Sequence, residues 1–225
     1  MTQRFRGGAK WAARAAVGAA LMAGVIWWAD PGKVLGGLAR IQPAWILPIL
    51  LTAYLGMVIS CMRWQVLLRA RGIGVSVNRL VFYYTIGYFF SAFLPSMFGG
   101  DIARSYIFGR RIRSQVESFA SVFMERLTGL TGLVLVAAAA TALNHRTIRA
   151  AGLLPWMLAI FAGFTAFLLL VFSRALAARA GALLRWGGAA PWRDKFIAFH
   201  DALLSFRGEG GAVAAALLHS VLFQL

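Results

Sequence analysis

The stretch from Leu80 to Asp101, LVFYYTIGYFFSAFLPSMFGGD, decides how the chain is read. It begins as an apolar, aromatic run, breaks at Leu94-Pro95-Ser96, and ends in Gly99-Gly100-Asp101. Proline removes a backbone donor and clashes with the preceding turn, so a helix stops there. A short helix is expected to follow over Ile102–Arg110. If the run crossed a bilayer, its basic flanks, 63–79 and 101–113, would lie on opposite faces. Each flank carries four Lys/Arg, and short basic loops belong on the cytoplasmic face. The conflict disappears when residues 80–100 dip into the bilayer and return to the face they left. A crossing and a dip both remain open on the sequence, and the charge pattern favours the dip. Broken backbone at that depth is tolerated only inside protein or beside a water-filled cavity. The dip therefore implies a polar interior site.

Outward from this segment, apolar runs of about 20 residues recur, long enough to span a bilayer as helix. Trp11–Trp28 is one, read as a retained anchor because Trp27 and Trp28 stand where a signal-peptide cut needs small residues. Trp45–Met62 is the second, bracketed by Trp45 and Trp64 in the manner of interfacial tryptophans. Ser118–Leu143 and Leu153–Phe172 follow. Phe196, Phe199, Leu203 and Phe206 recur at helical spacing opposite Asp194, Asp201 and Ser205, which predicts an interfacial helix over about 193–207. Ala212–Leu225 is apolar but too short to span. It reads as a truncated last span, so 1–225 is expected to be one integral membrane domain, incomplete at its C-terminus. With the dip, segments 1–14, 63–79, 101–113 and 173–211 carry 4, 4, 4 and 6 basic residues, against 2 each for 30–43 and 144–152. The expected architecture is all-α, a polytopic helical membrane protein with a re-entrant helix break around residues 80–103. Its N-terminus is expected to be cytoplasmic, in a bacterial-type inner membrane.

Composition agrees with a membrane protein. The 225 residues are 60% hydrophobic with 24 glycines, and only 13% are charged, which excludes a disordered chain and disfavours a soluble domain. The balance of 23 Lys+Arg against 7 Asp+Glu, a formal +16, would point to nucleic acid in a soluble protein. Here the cations sit in short clusters between apolar runs, so no nucleic-acid partner is expected. Clusters such as Arg110-Arg111-Ile112-Arg113 instead suit anionic lipid headgroups. The single Cys61 excludes an intrachain disulfide. His145, His200 and His219 lack ligand spacing. No hydrolase, nucleotide-binding or metalloprotease motif is present, so no metal, cofactor or catalytic residue is expected.

Ionisable residues within a membrane are costly and are functional candidates by default. Glu125 and Arg126 lie roughly 14 Å into their helix at 1.5 Å per residue. A helix rising from Leu80 would bring Pro95–Asp101 to a similar depth. Asp101, Arg104, Glu125 and Arg126 are thus expected to meet, with their charges summing to zero. Adjacent residues point about 100° apart on a helix, so Glu125 and Arg126 need separate partners. Arg104 with Glu125 and Asp101 with Arg126 are the natural pairs. Gly99 and Gly100 open a helix N-terminus that favours an anion, although Asp101 is expected to cap that helix itself. The candidates for a lipid-headgroup or polar-cavity site are Ser91, Pro95, Ser96, Gly99, Gly100, Asp101, Arg104, Glu125 and Arg126. A structural ion-pair lock is the alternative role for the charged four.

Arg63-Trp64 with Leu67-Leu68 and Gly72, Ile86-Gly87-Tyr88-Phe89-Phe90, Leu94-Pro95-Ser96, Gly99-Gly100-Asp101, Arg104, Glu125-Arg126 and Gly129 together resemble the lysylphosphatidylglycerol synthase transmembrane family. These are flippase-like integral membrane proteins, and the resemblance covers roughly residues 10–225. The family pattern has Asn where this chain has Ser91. The resemblance implies about eight membrane segments and the binding or translocation of a phospholipid or lipid-linked intermediate. Its partners would be anionic or phosphate-bearing membrane lipids and envelope-lipid biosynthesis enzymes. Two other roles accord with it: the membrane portion of a lipid-modifying enzyme whose catalytic domain lies elsewhere, or a scaffold in envelope glycan or hopanoid assembly.

Overall fold

The computed structural model describes residues 42–93, 98–175 and 190–224, with a few single positions before residue 42. Apart from those single positions, the span expected over 11–28 lies outside the described residues, as do Pro95 and Ser96. Among the described residues the chain is all-α, without strands. The helices are α1 (Ile46–Ala70), α2 (Val77–Phe93), α3 (Gly99–Ile112), α4 (Gln115–Leu143), α5 (His145–Ala150), α6 (Leu154–Val171), α7 (Ala190–Ser205) and α8 (Gly210–Gln224). Among the described residues, three segments are long and apolar enough to cross a membrane: Pro43–Ala70, Gln115–Leu143 and Leu154–Val171. The 17 residues of α2 reach only about 25 Å, less than the hydrocarbon core of roughly 30 Å.

The chain divides into two compact units, 1–52 and 53–225. In the first, Pro43 opens a 3₁₀ turn, where its missing N–H would have had no partner. Thr52 Oγ1 donates back to the Pro48 carbonyl at 2.8 Å.

The second unit is organised on α4, against which α3, α7 and α8 pack, while α2 packs along α3. One apolar cluster joins Cys61, Trp64 and Leu68 of α1 to Leu80, Tyr83 and Tyr84 of α2, Phe108 of α3 and Val122 of α4. A second cluster joins Leu67, Ala120, Met124, Leu127, Ala202, Leu203, Phe206 and Ala216. In it α7 turns Phe199, Ala202 and Leu203 inward and leaves Asp194 and Asp201 exposed.

Helix ends place the hairpin. Gly72, at φ 70°, takes the left-handed conformation that ends α1, and Ile73 N–H donates to the Leu68 carbonyl at 2.9 Å. The Ser114 hydroxyl caps α4 by accepting from Glu117 N–H at 3.2 Å. The Glu117 carboxylate takes a bidentate pair from Arg71, at 2.8 and 3.1 Å. This pair fastens the exit of α1 to the entry of α4. The direction of α2 away from this end is therefore matched by the return of α3 to it.

Two expectations change. α1 does not stop at Met62 but continues through Arg63 to Ala70, so residues 63–70 are helix rather than basic loop. Trp45 is exposed, as an interfacial tryptophan should be, but Trp64 is wholly buried. Its indole N–H donates to Ser121 Oγ at 3.1 Å, which satisfies the polar end and lets the ring enter the core.

Candidate functional site

Five charged side chains form a ladder through the second unit. At its inner end Arg63, on α1, donates to Ser220 Oγ of α8 at 3.1 Å and to Oε1 of Glu125. The other oxygen of Glu125 accepts from Arg104 Nη2 at 2.5 Å. Arg104 Nε reaches Asp101 Oδ1 at 3.0 Å. Arg126 closes the outer end as a fork on Asp101, with Nε at 2.7 Å from Oδ2 and Nη2 at 3.0 Å from Oδ1. Glu125 and Arg126 are neighbours in sequence yet face different partners, as the 100° step requires.

Burial grades along the ladder. The side chains of Arg104 and Glu125 are each 1% exposed, Asp101 is 12%, and Arg126 is 54%. Carboxylates this deep need charge-assisted partners, because removing one strands the other in low dielectric. Arg104 gains further from aromatic faces, lying 4.1 Å from the ring centroid of Tyr84 and 4.9 Å from that of Trp64. Three arginines meet two carboxylates, so the cluster carries +1 rather than the zero expected of four groups. The Arg63 Nε and Arg104 Nη1 atoms are buried without a hydrogen-bond partner among the described residues.

Glycines make the room. A Cβ on Gly100 would overlap the Gly87 carbonyl and Ser91 Oγ, so α2 and α3 touch through backbone at this level. Gly100 is thus used in helix packing, and its Cα face is not an open anion cradle. A Cβ on Gly129 would come within 3.3 Å of Arg63 Nη1. Asp101 was expected to cap α3, but the N-cap is Phe98 with no side-chain cap bond. The carboxylate turns to two guanidinium groups instead, since charge-assisted bonds outweigh a cap.

Beside the outer end lies a cavity of about 280 Å³ between α3, α4, α6 and α7. Its walls include Phe98, Ile102, Phe123, Leu130, Phe167 and Phe199, with Asp101 and Arg126 as the charged groups. A second groove, of about 520 Å³, runs between α6 and α8 over Met124, with Arg207 at its edge. Outside the membrane-spanning segments, the hydrogen bonds that Arg71 donates to the Glu117 carboxylate raise its pKa above its already high ordinary value. Among the described residues, no three His, Cys, Asp or Glu side chains gather as a metal site would require.

Comparison with known proteins supplies the family. The family described as "Lysylphosphatidylglycerol synthase TM region" matches residues 14–225. The chain belongs to that family. A UPF0104 membrane protein of Methanothermobacter thermautotrophicus is 27% identical over 112 residues, which is 49% of this chain and 33% of that protein. The match therefore spans about a third of the curated relative. No solved structure matches the chain significantly. As a member of the lysylphosphatidylglycerol synthase TM region family with several apolar helices, it is a multi-pass membrane protein.

Of the site residues read from this family member's sequence, the structure brings together Asp101, Arg104, Glu125 and Arg126, with Gly100 and Ser91 at the hairpin contact. Gly99 is buried in the first turn of α3. Missed as site members were Arg63, Ser220 and the aromatic pair Trp64 and Tyr84. Arg63 carries no local signal of its role, since a cation directly after an apolar run reads as its basic flank.

Proposed function

We propose that this family member binds a phospholipid or lipid-linked intermediate, with its headgroup at the outer end of the ladder and an acyl chain in the adjoining cavity, and moves it between leaflets. The observation that carries this reading is Arg126, a half-exposed cation that lines, beside Asp101, a cavity with mostly apolar walls. Arg104 is too deep to meet a headgroup, which leaves Arg126 as the contact. Headgroup desolvation dominates the barrier to crossing, so a polar path at mid-depth lowers it without covalent chemistry or a cofactor.

The hairpin of α2 and α3 enters and leaves the bilayer at one face, in keeping with the Arg71–Glu117 pair between α1 and α4. That face carries Arg69, Arg71, Arg79, Arg110, Arg111 and Arg113, against Arg146 and Arg149 in α5 at the far end of α4. It is cytoplasmic by the positive-inside rule, in a bacterial-type inner membrane. Single cysteines at positions 71 and 113, in a Cys61→Ser background, should both react only from the cytoplasmic side. Labelling from opposite sides overturns the re-entrant hairpin.

Reconstitution tests the transport itself. Liposomes holding the natural full-length protein should move labelled phosphatidylglycerol between leaflets faster than protein-free liposomes. No acceleration across a panel of phospholipids and polyprenyl phosphates overturns the reading. The family's description favours one second reading, the membrane portion of a lipid-modifying enzyme. In that case lipid binds but moves only alongside a catalytic domain.

A further inference from the structure

The ladder has an uneven number of rungs, and its two ends differ in what they can release. Glu125 is sealed between Arg63 and Arg104, so neither cation can leave without stranding a buried charge. Asp101 is different. It holds Arg126 by a fork and Arg104 by a single bond, and Arg104 stays in place if Arg126 departs. Of the three arginines, Arg126 alone is half exposed, and it faces the apolar cavity.

We infer that Arg126 is an exchangeable cation: it leaves Asp101 for an arriving phosphate oxyanion, and Asp101 falls back on Arg104. This rests on the lipid-site reading above and narrows the substrate class to lipids with an anionic headgroup. The charge count is the reason. The cluster carries one uncompensated positive charge, which a phosphate with one net negative charge neutralises. A headgroup that brings its own ammonium, such as phosphoethanolamine, adds a cation where none is lacking. Guanidinium binds carboxylate and phosphate with the same fork, so the exchange replaces one bidentate pair with another. It requires no new desolvation of the buried half. It also releases one clasp between α3 and α4 while Arg104–Glu125 still joins those helices.

The consequence runs against intuition: an acidic residue at the site competes with the ligand. Removing Asp101's charge should tighten binding, because Arg126 no longer has to be released. Fluorescently labelled phosphatidylglycerol, titrated into the purified full-length protein in nonionic detergent, reads this directly. Asp101→Asn should bind about tenfold more tightly, and Arg126→Gln about tenfold more weakly, each close to 1.4 kcal/mol. Arg104→Lys removes the Nε–H on which Asp101 falls back without touching Arg126, and should also weaken binding; this variant decides the matter if Asp101→Asn does not fold. Labelled phosphatidylethanolamine should bind the wild type more weakly than phosphatidylglycerol. Inorganic phosphate, which has no chain for the cavity, should not displace the labelled lipid at millimolar concentration.

Weaker binding by folded Asp101→Asn, or unchanged binding by Arg104→Lys, overturns the exchange while leaving a lipid site standing. Equal binding of the two lipids overturns the charge selectivity. Displacement by inorganic phosphate overturns the assignment to a lipid. No binding of any labelled lipid by the wild type removes both the exchange and the lipid-site reading beneath it.

Discussion

Helix α4 carries two glutamates two turns apart, and each meets arginine from α1 or the turn that follows it. Glu117 holds Arg71 by a fork, with side chains 27% and 24% exposed. Glu125 holds Arg63 and Arg104, and its side chain is 1% exposed. The chemistry is nearly the same and the setting is not. Water can solvate either member of the outer pair if its partner is lost, so that pair contributes little net stability. The inner glutamate has no such refuge, so it stabilises less by attraction than by the cost of its absence. The difference teaches that an ion pair's consequence is set by what remains when it is broken.

The sharpest way to break this comparison is Glu125→Ala, which strands the buried Arg63 guanidinium and leaves Arg104 paired with Asp101 alone. It should cost about 3–5 kcal/mol, visible as loss of folded protein in detergent-based thermal unfolding. A small effect would mean that water reaches the ladder.

Next in size is Gly100→Ala. Its Cβ would overlap the Gly87 carbonyl, so the hairpin that delivers Arg104 must part. A loss of about 1–3 kcal/mol is expected for such overpacking, and unchanged melting would show that the helices can separate freely.

Smaller still is Glu117→Gln, expected to change stability by no more than about 1 kcal/mol, less at high salt. A loss matching that of Glu125→Ala would erase the distinction between the two pairs.

The smallest expectation concerns pH. Arg71 has its folded-state pKa raised by Glu117, so its contribution is complete below the unfolded value and fades only as pH rises through the folded one. Both values lie above the working range, so the difference between wild type and Glu117→Gln should be the same at about pH 7 and pH 10. A gap that closes on the alkaline side would show that another group controls the pair.

Much of this was legible in the sequence, and the residues say why. Apolar length located α1, α4 and α6, and the aromatic spacing from Phe196 to Phe206 located the helix α7, although the face read as interfacial turns Phe199 and Leu203 into the second apolar cluster. Two rules, the 100° step between adjacent residues and the need of every buried charge for a partner, sufficed to pair Arg104 with Glu125 and Asp101 with Arg126. Arg63 escaped because a cation after an apolar run looks like its cytoplasmic flank, and Trp64 beside it like an interfacial belt. What distinguishes a flank from a buried rung is a contact across 62 residues of chain, which no local pattern encodes. Gly129 and Ser220 were opaque for the same reason, since their sizes matter only once Arg63 lies against them.

That separation between Arg63 and Glu125 also imposes an order on synthesis. At roughly 5–20 residues per second, Glu125 emerges some 3–12 s after Arg63. For those seconds α1 has an arginine in its last turns and not yet the glutamate that pairs with it. The least costly place for the guanidinium is then the headgroup layer, reached by extending its side chain outward. Nascent α1 therefore begins with residues 46–62 as its membrane-embedded length. Its final turns join the bundle only after α4 has been made. A ribosome stalled before residue 125 should hold a chain whose position 63 still reacts with water-soluble probes.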